Sequence, residues 1–329
     1  MKITPKPLRD ITDEYKSQID LFICGASFED RCRSIPVALS DKIRGRTVIL
    51  FNSDFEREIE KNLQLIIEAV GTAVERILVS SNNPVLSYDN IFCSLRQLAL
   101  KGAQSVVIDI TSVTHETLMM LYHVVSQCFT GECKVKYVYA TADDYSLGVP
   151  KPKKWLSKGI KEIRSVMGYP GRLVPSKSNH LIVLLGFEEY RAYAVIKEFE
   201  PSLLSVGYGD ASEESTGPHQ ETNETKLRRL RSLVGDVNEF QFSCYDPLLA
   251  EHTLQELVTQ KSNYNNIIAP MNTKPSTMGA ARCALKNESV QLCYAQPEVY
   301  NVTNYSLAGT QYYEYAFDSI DLVPNARPR

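Results

Sequence analysis

Two stretches hold most of the residues able to do chemistry: Asp109-Ile110-Thr111-Ser112-Val113-Thr114-His115 and Pro270-Met271-Asn272-Thr273-Lys274-Pro275-Ser276-Thr277. Each follows a short apolar run and precedes an apolar pattern of helical period, so each reads as the loop between a buried strand and a helix. Hydroxyls, amides and cations at a helix start lie beside unpaired backbone N–H groups and the positive end of the helix dipole, a setting that suits a phosphate. Thr111, Ser112 and Thr114 supply hydroxyls in the first copy, whereas Asn272, Thr273 and Lys274 supply an amide, a hydroxyl and an ammonium in the second. Plain helix capping competes with phosphate binding for the first copy. A cation in the loop tilts the second copy toward binding.

A second set of polar residues begins earlier in each half. Gly25-Ala26-Ser27 reads as a turn, followed by Glu29 and Arg31, and Gly186 is followed by Glu189 and Arg191. Glu with Arg in a first helical turn is explained by the helix dipole and a local ion pair. In the functional reading, Arg31 and Arg191 grip phosphate through their planar forks, Ser27 joins them from the turn, and the acids meet a ribose or base edge. The residues available for acid–base work are Glu29, Asp109, His115 and Glu189. They form no recognisable catalytic constellation, and only His115 among the five histidines falls at an expected strand end. Gly25 stands alone without a GxGxxG pattern, and there is no Walker loop, so no dinucleotide or other cofactor is expected. Tyr137, Tyr139, Tyr145, Tyr294, Tyr300 and Tyr305 offer rings for stacking on bases.

The elements that must position these residues alternate. Apolar runs at residues 20–25, 46–51, 75–79, 105–110 and 134–140 read as strands, and residues 28–39, 56–70, 88–100 and 115–129 as helices. Strands that are apolar throughout are covered on both faces, which indicates a parallel, doubly wound α/β sheet whose ligands bind beyond the carboxyl ends of the strands. Residues 146–178 interrupt the alternation with four prolines and a strongly basic run, and read as a linker with a short helix over 155–167. The basic run is either a solvated face or a grip for a polyanion. The pattern then restarts at His180, with a strand at residues 266–271 echoing 105–110, and Tyr294-Ala295 echoing Tyr139-Ala140. An internal repeat follows: a first domain over 1–145, the linker over 146–178 and a second domain over 179–329. Residues 211–223 carry no Val, Leu, Ile, Met, Phe, Tyr or Trp and read as a mobile loop, either a surface insertion or a lid.

Bulk properties restrict the classes further. A chain of 329 residues suits two domains, and a net charge of -3 argues against a surface wholly devoted to nucleic acid. The eight cysteines are scattered without a CxxC pair, so neither a disulfide framework nor a metal site is expected, and a reduced cytoplasmic protein is the plain reading. No apolar run approaches the ~20 residues that cross a bilayer, so no membrane partner is expected.

The runs from Ile108 to Met119 and from Asn272 to Met278 resemble the fourth-strand signature of CRISPR-associated Rossmann-fold (CARF) domains, in which a polar D/N-x-T precedes a helix. The tandem layout is similar to the related SAVED domains, which look like two such units fused. The resemblance implies two Rossmann-like domains that bind a nucleotide or cyclic oligonucleotide at strand ends facing a shared cleft, as a sensor or adaptor in bacterial antiviral defence. Thr111, Ser112 and Thr114, with Asn272, Thr273 and Lys274, would contact ligand phosphate or ribose. The first copy departs from the pattern by lacking a lysine. Such proteins usually carry an effector domain, and no segment here is long enough for one, so a separate effector chain is the expected partner and a homodimer is possible. The alternatives are a nucleotide hydrolase cleaving a glycosidic or phosphodiester bond, and a protein-binding scaffold.

Overall fold

A computed structural model describes residues 3–71, 73–150, 153–210, 212 and 219–317. They divide into two α/β units, the first from residues up to 147 together with the segment after 301, the second from residues 148–301.

The first unit contains β1 (Ile19–Ala26), β2 (Ile43–Asn52), β3 (Ala73–Val79), β4 (Ser105–Asp109) and β5 (Lys134–Tyr145). Between and after them run α1 (Ser34–Ala38), α2 (Glu56–Val70), α3 (Pro84–Leu100) and α4 (His115–Cys128). The second unit contains β6 (Glu162–Pro170), β7 (Asn179–Leu184), β8 (Leu203–Gly209), β9 (Asn238–Phe242), β10 (Asn265–Pro270) and β11 (Gln291–Gln296). Its helices are α5 (Glu189–Phe199), α6 (Gln220–Val234), α7 (Pro247–Gln260) and α8 (Lys274–Lys286). A last strand, β12 (Ser306–Ala316), closes the described chain.

The two sheets share one plan. In the first, five parallel strands lie in the order β3-β2-β1-β4-β5, and in the second the order is β9-β8-β7-β10-β11. Both are doubly wound Rossmann-like sheets, with the winding reversing between the first and fourth strands of the repeat. Each adds one antiparallel strand beyond the fifth: β12 pairs with β5, and β6 pairs with β11.

Those sixth strands are exchanged between the halves of the sequence. β6 follows β5 in the chain yet completes the second sheet, and β12 follows β11 yet completes the first. This redraws the expected boundaries at 145 and 179. Most of the basic linker belongs to the second unit, and residues 302–317 leave the second half to join the first. The helix expected over 155–167 is instead the two-residue strand Ser157–Lys158 and the start of β6. The open edge of β11 offers a row of backbone donors and acceptors, and pairing of Ile163 with Ala295 and Ser165 with Cys293 outweighs a weak local helical pattern.

Two further differences concern helix starts. Residues 28–39 form a 3-10 turn (Asp30–Arg33) running into the short α1, because Arg31 is pulled inward as described below and Pro36 has no N–H to give a longer helix. α6 begins at Gln220, inside the expected loop over 211–223, and buries Thr222 and Asn223. Residues 211 and 213–218 of that expected loop lie outside the described residues. Elsewhere the local signals hold: Asn83 and Asp246 accept hydrogen bonds from the first-turn N–H groups of α3 and α7, each with proline at the helix start, and Gly71 ends α2 at φ 54°.

Each sheet is packed by its helices. In the first unit Cys24, Val107, Val138 and Ala140 lie under Leu63 and Ile66 of α2, and in the second Leu181, Val183, Ile267 and Ala269 lie under Leu227 and Leu230 of α6. Each such aliphatic side chain contributes about 1.5–3 kcal/mol relative to an exposed one. These layers fix where the strand ends, and therefore the polar loops, must emerge.

Candidate ligand sites at the strand ends

In the first unit the loop after β1 and the loop after β4 flank the reversal of winding. Gly25 is required there, because a Cβ would stand 2.7 Å from a methyl of Val113 in the facing loop. Ser112 Oγ donates to the Gly25 carbonyl at 2.9 Å, tying the two loops together. Thr111, fully buried, donates its hydroxyl to Asp109 Oδ1 and accepts the Ala140 N–H at 2.9 Å, so it splices β4 to β5. Thr114 caps α4, accepting the Thr117 N–H at 3.1 Å. His115 is the first residue of that helix and is half-buried. Ser27 Oγ accepts the Glu29 N–H at 3.3 Å.

Arg31 is the centre of this unit's polar cluster. It is 3% exposed, and Nη2 donates to Glu29 Oε2 at 3.0 Å. Nη1 donates to the Tyr139 hydroxyl (3.2 Å), the Ala140 carbonyl (3.2 Å) and the Tyr145 hydroxyl (3.4 Å). Both tyrosine rings also sit against the guanidinium, at 5.5 and 5.6 Å from their centroids. Burial alone would lower the Arg31 pKa, but Glu29 and the two tyrosines outweigh it and hold the guanidinium charged. Ser306, the first residue of β12, donates to Glu29 Oε2 at 2.7 Å and closes the cluster.

Asp109 has a different environment. Thr111 occupies Oδ1 through both its N–H and its hydroxyl, while Oδ2 is buried with no hydrogen-bond partner. Burial pushes its pKa from 3.8 to about 7, against the lowering effects of Thr111 and the Arg31 charge. Asn62 of α2 is similarly sunk among apolar neighbours and donates Nδ2 to the Ser27 carbonyl at 2.9 Å.

In the second unit the corresponding loops follow β7 and β10. Gly186 is needed for their close approach, since a Cβ would lie 2.1 Å from the Met271 carbonyl oxygen. Asn272 Nδ2 donates to the Leu185 carbonyl at 2.6 Å, the counterpart of the Ser112 tether. Thr273 caps α8 through the Ser276 N–H at 3.3 Å and donates its hydroxyl to the Cys244 carbonyl. Lys274 is the first residue of α8 and is half-buried.

The charges are arranged differently from those of the first unit. Arg191 Nη1 donates to Ser157 Oγ at 2.7 Å and lies 3.7 Å from Glu188 Oε2, while the Ser157 N–H donates to Glu188 Oε1 at 3.0 Å. Glu189 meets two cations from α6, Lys226 at 2.7 Å and Arg229 at 3.2 Å. Lys226 is itself buried. A phenol pair recurs here too: Tyr294 and Tyr300 share a hydrogen bond at 3.2 Å, as do Tyr139 and Tyr145.

The loops therefore bring together Ser27, Glu29, Arg31, Asp109, Thr111 and Ser112, with Thr114 beside them, in one unit, whereas in the other Asn272, Thr273 and Lys274 follow β10, and Glu189 and Arg191 keep separate partners after β7. Several of them differ in role from the sequence expectation. Arg31 is clasped by tyrosines and Glu29, Arg191 by Ser157 and Glu188. Tyr139 and Tyr145 hold a cation in place of a base, and Tyr305 packs edge-on against Phe28 at 5.5 Å. Sequence reading missed Ser157, Ser306, Glu188, Lys226 and Arg229. Only Lys226 carried a signal: it is a charged residue on the apolar face of its helix, where Asn62 is the matching polar residue in α2. The serines carried none, because their contacts depend on the exchange of strands.

No family model matches the chain, and no curated protein matches it. Among solved structures, the chain is similar to UDP-GlcNAc 2-epimerase from Neisseria meningitidis, with 9% identity, a TM-score of 0.24 and 76% of each chain covered. It is also similar to phosphoethanolamine N-methyltransferase 1 of Haemonchus contortus, with 8% identity, a TM-score of 0.27 and coverage of 80% of this chain and 71% of that one. At these scores the likenesses carry no argument about activity. Among the described residues no helix is long and apolar enough to cross a membrane, and no group of His, Cys, Asp and Glu is placed to hold a metal ion.

Proposed function

We propose that the chain is a nucleotide sensor or adaptor that binds a phosphate-bearing ligand at the strand ends of its second unit, as CARF and SAVED proteins do in antiviral defence, and passes the signal to a separate effector. The observation that carries this reading is one buried carboxylate of the second unit, Glu189, that meets two cations, Lys226 and Arg229. Arg191 lies 3.7 Å from Glu188, and Lys274 opens α8 after β10. A carboxylate outnumbered by the cations it pairs with favours an added anion, and the start of α8 offers its dipole.

Binding fits the geometry better than hydrolysis. Glu29 is committed to Arg31 and Ser306, Glu189 to Lys226 and Arg229, and Asp109 is 1% exposed under Thr111. A general acid or base must reach its substrate within hydrogen-bond distance. These three carboxyls are occupied or enclosed.

Thermal shift and calorimetry against a panel of cyclic and linear oligonucleotides test the reading. The expected result is saturable binding of at least one member, weakened about tenfold or more by Lys274→Ala, with the ligand chromatographically intact after prolonged incubation. Undiminished affinity in Lys274→Ala overturns the site, and conversion of the ligand overturns the sensor in favour of a hydrolase.

A further inference from the structure

The first sheet ends on an open edge. Its far side is covered, because Lys6 and Pro7 pair antiparallel with Tyr312 and Gln311 of β12. At the other side β3 is the last strand, and among the described residues no strand pairs with its outer edge. An outermost strand presents a row of backbone N–H and C=O groups ready to pair with another strand, and proteins commonly blunt it with proline, lysine or a bulge. β3, Ala73-Val74-Glu75-Arg76-Ile77-Leu78-Val79, has none of these and keeps an unbroken register against β2 along its whole length. Asn90 Nδ2 of α3 donates to the Leu78 carbonyl at 3.0 Å, in a bond at the exposed surface. A carbonyl accepts two hydrogen bonds, so strand pairing remains open to that residue too.

Beside this edge, a groove of about 290 Å³ runs between α2 and β3. Ile59, Leu63 and Leu78 line it with apolar surface, and Glu56, Glu60 and Arg76 line it with charge. All three charged residues are exposed, and among the described residues none of them is held in an ion pair. In the second unit the matching helix and edge strand satisfy their charges internally, with Arg231 of α6 lying 3.0 Å from Glu239 of β9.

We propose that β3 is the interface with a second copy of this chain, the two β3 strands pairing antiparallel about a two-fold axis normal to the sheet. Such an interface is isologous, so each contact occurs twice. Charge chooses the register, because like charges directly opposite repel. An axis centred on Glu75 or on Arg76 sets that residue against itself. Centred on Ile77, it brings two isoleucines together and sets Arg76 opposite Leu78 of the second copy. Alternate residues share a face, so Arg76 then meets the groove of the second copy, where Glu56 and Glu60 stand beside Leu78. The exposed flank of Leu78 is covered in the same step. Glu75, on the opposite face, keeps its own partners, Arg46 at 3.6 Å and Ser94 Oγ at 2.5 Å.

Sedimentation velocity on the full-length protein over a dilution series tests the proposal. The parent is expected to sediment as a dimer that dissociates on dilution. Arg76→Glu and Glu60→Arg are each expected to raise the dissociation constant about tenfold or more, and the two together to return it to within about threefold of the parent. Leu78→Ser, which reads the same edge without altering charge, should raise it about threefold or more. Far-ultraviolet circular dichroism should be the same for all of these proteins, since the substituted positions are exposed. A monomer at every concentration overturns the proposal. So does a dimer that the single variants leave intact, which would lie at another surface, and so does a double variant that stays as weak as either charge reversal alone.

Discussion

The two strand ends are built on the same strand order and arrange their charges differently. In the first unit one guanidinium lies among Glu29, Asp109 and two phenols, and its polar groups are turned inward. In the second, one carboxylate, Glu189, meets two cations, Lys226 and Arg229, and Arg229 and Lys274 remain partly accessible. One helix position concentrates the contrast. The seventh residue of α2 is Asn62, which donates to a backbone carbonyl, and the seventh residue of α6 is Lys226, which pairs with Glu189. The repeat therefore keeps one scaffold while the residue at a single buried helix position, Asn62 or Lys226, changes which group it pairs with.

The sharpest challenge to that contrast is to remove the central cation from each side. Arg31→Met leaves Glu29 buried with only Ser306 and should cost about 3–5 kcal/mol in urea denaturation. Lys226→Met leaves Glu189 paired with Arg229 and should cost about 1–3 kcal/mol. Equal losses would mean that the second unit's extra cation is as structural as Arg31, and would weaken its assignment to a ligand.

Protonation provides an intermediate effect confined to the first unit. Because Asp109 is raised from 3.8 to about 7, the folded protein keeps a proton that the unfolded chain gives up between those values. Its contribution to stability therefore falls as pH rises through this window and levels off above it. Urea midpoints measured from about pH 4 to about pH 8 should show a shallower decline for Asp109→Asn than for the parent protein. An unchanged slope would show that Asp109 is not the group responsible.

The smallest expected effects come from the loop tethers. Ser112→Ala and Asn272→Ala each remove one hydrogen bond to the end of the first strand of their unit and should cost about 0.5–1.5 kcal/mol. If the second loop is the ligand loop, Asn272→Ala should also weaken nucleotide binding, whereas Ser112→Ala should leave it unchanged in calorimetry.

Much of the scaffold was legible in the sequence. The β1, β4, β7 and β10 runs are apolar and bounded by glycine or polar loops, and the strand-helix alternation requires a sheet covered on both faces. The caps Thr114 and Thr273 were readable as hydroxyls directly before helical periods. The site was legible as a location more than as a set of contacts. Thr111, Ser112, Asn272 and Thr273 sit at the reversal of winding, but each spends a hydrogen bond on splicing strands or loops. Backbone groups left over at a strand end compete with any ligand for the same side chains, and sequence spacing does not say which one takes them.

The sequence by itself determined the repeat, the alternation of the five parallel strands of each half with helices and the position of the loops between them, because periodicity and turn chemistry act over a few residues. Only the tertiary structure decided that Ser306 closes the Glu29–Arg31 pair, that Ser157 closes Glu188–Arg191, and that Lys226 reaches Glu189. Those contacts join residues from about 30 to nearly 280 positions apart. The two serine contacts depend on β6 and β12 finding open sheet edges in the opposite halves, an outcome set by backbone pairing between distant segments, which no local pattern encodes.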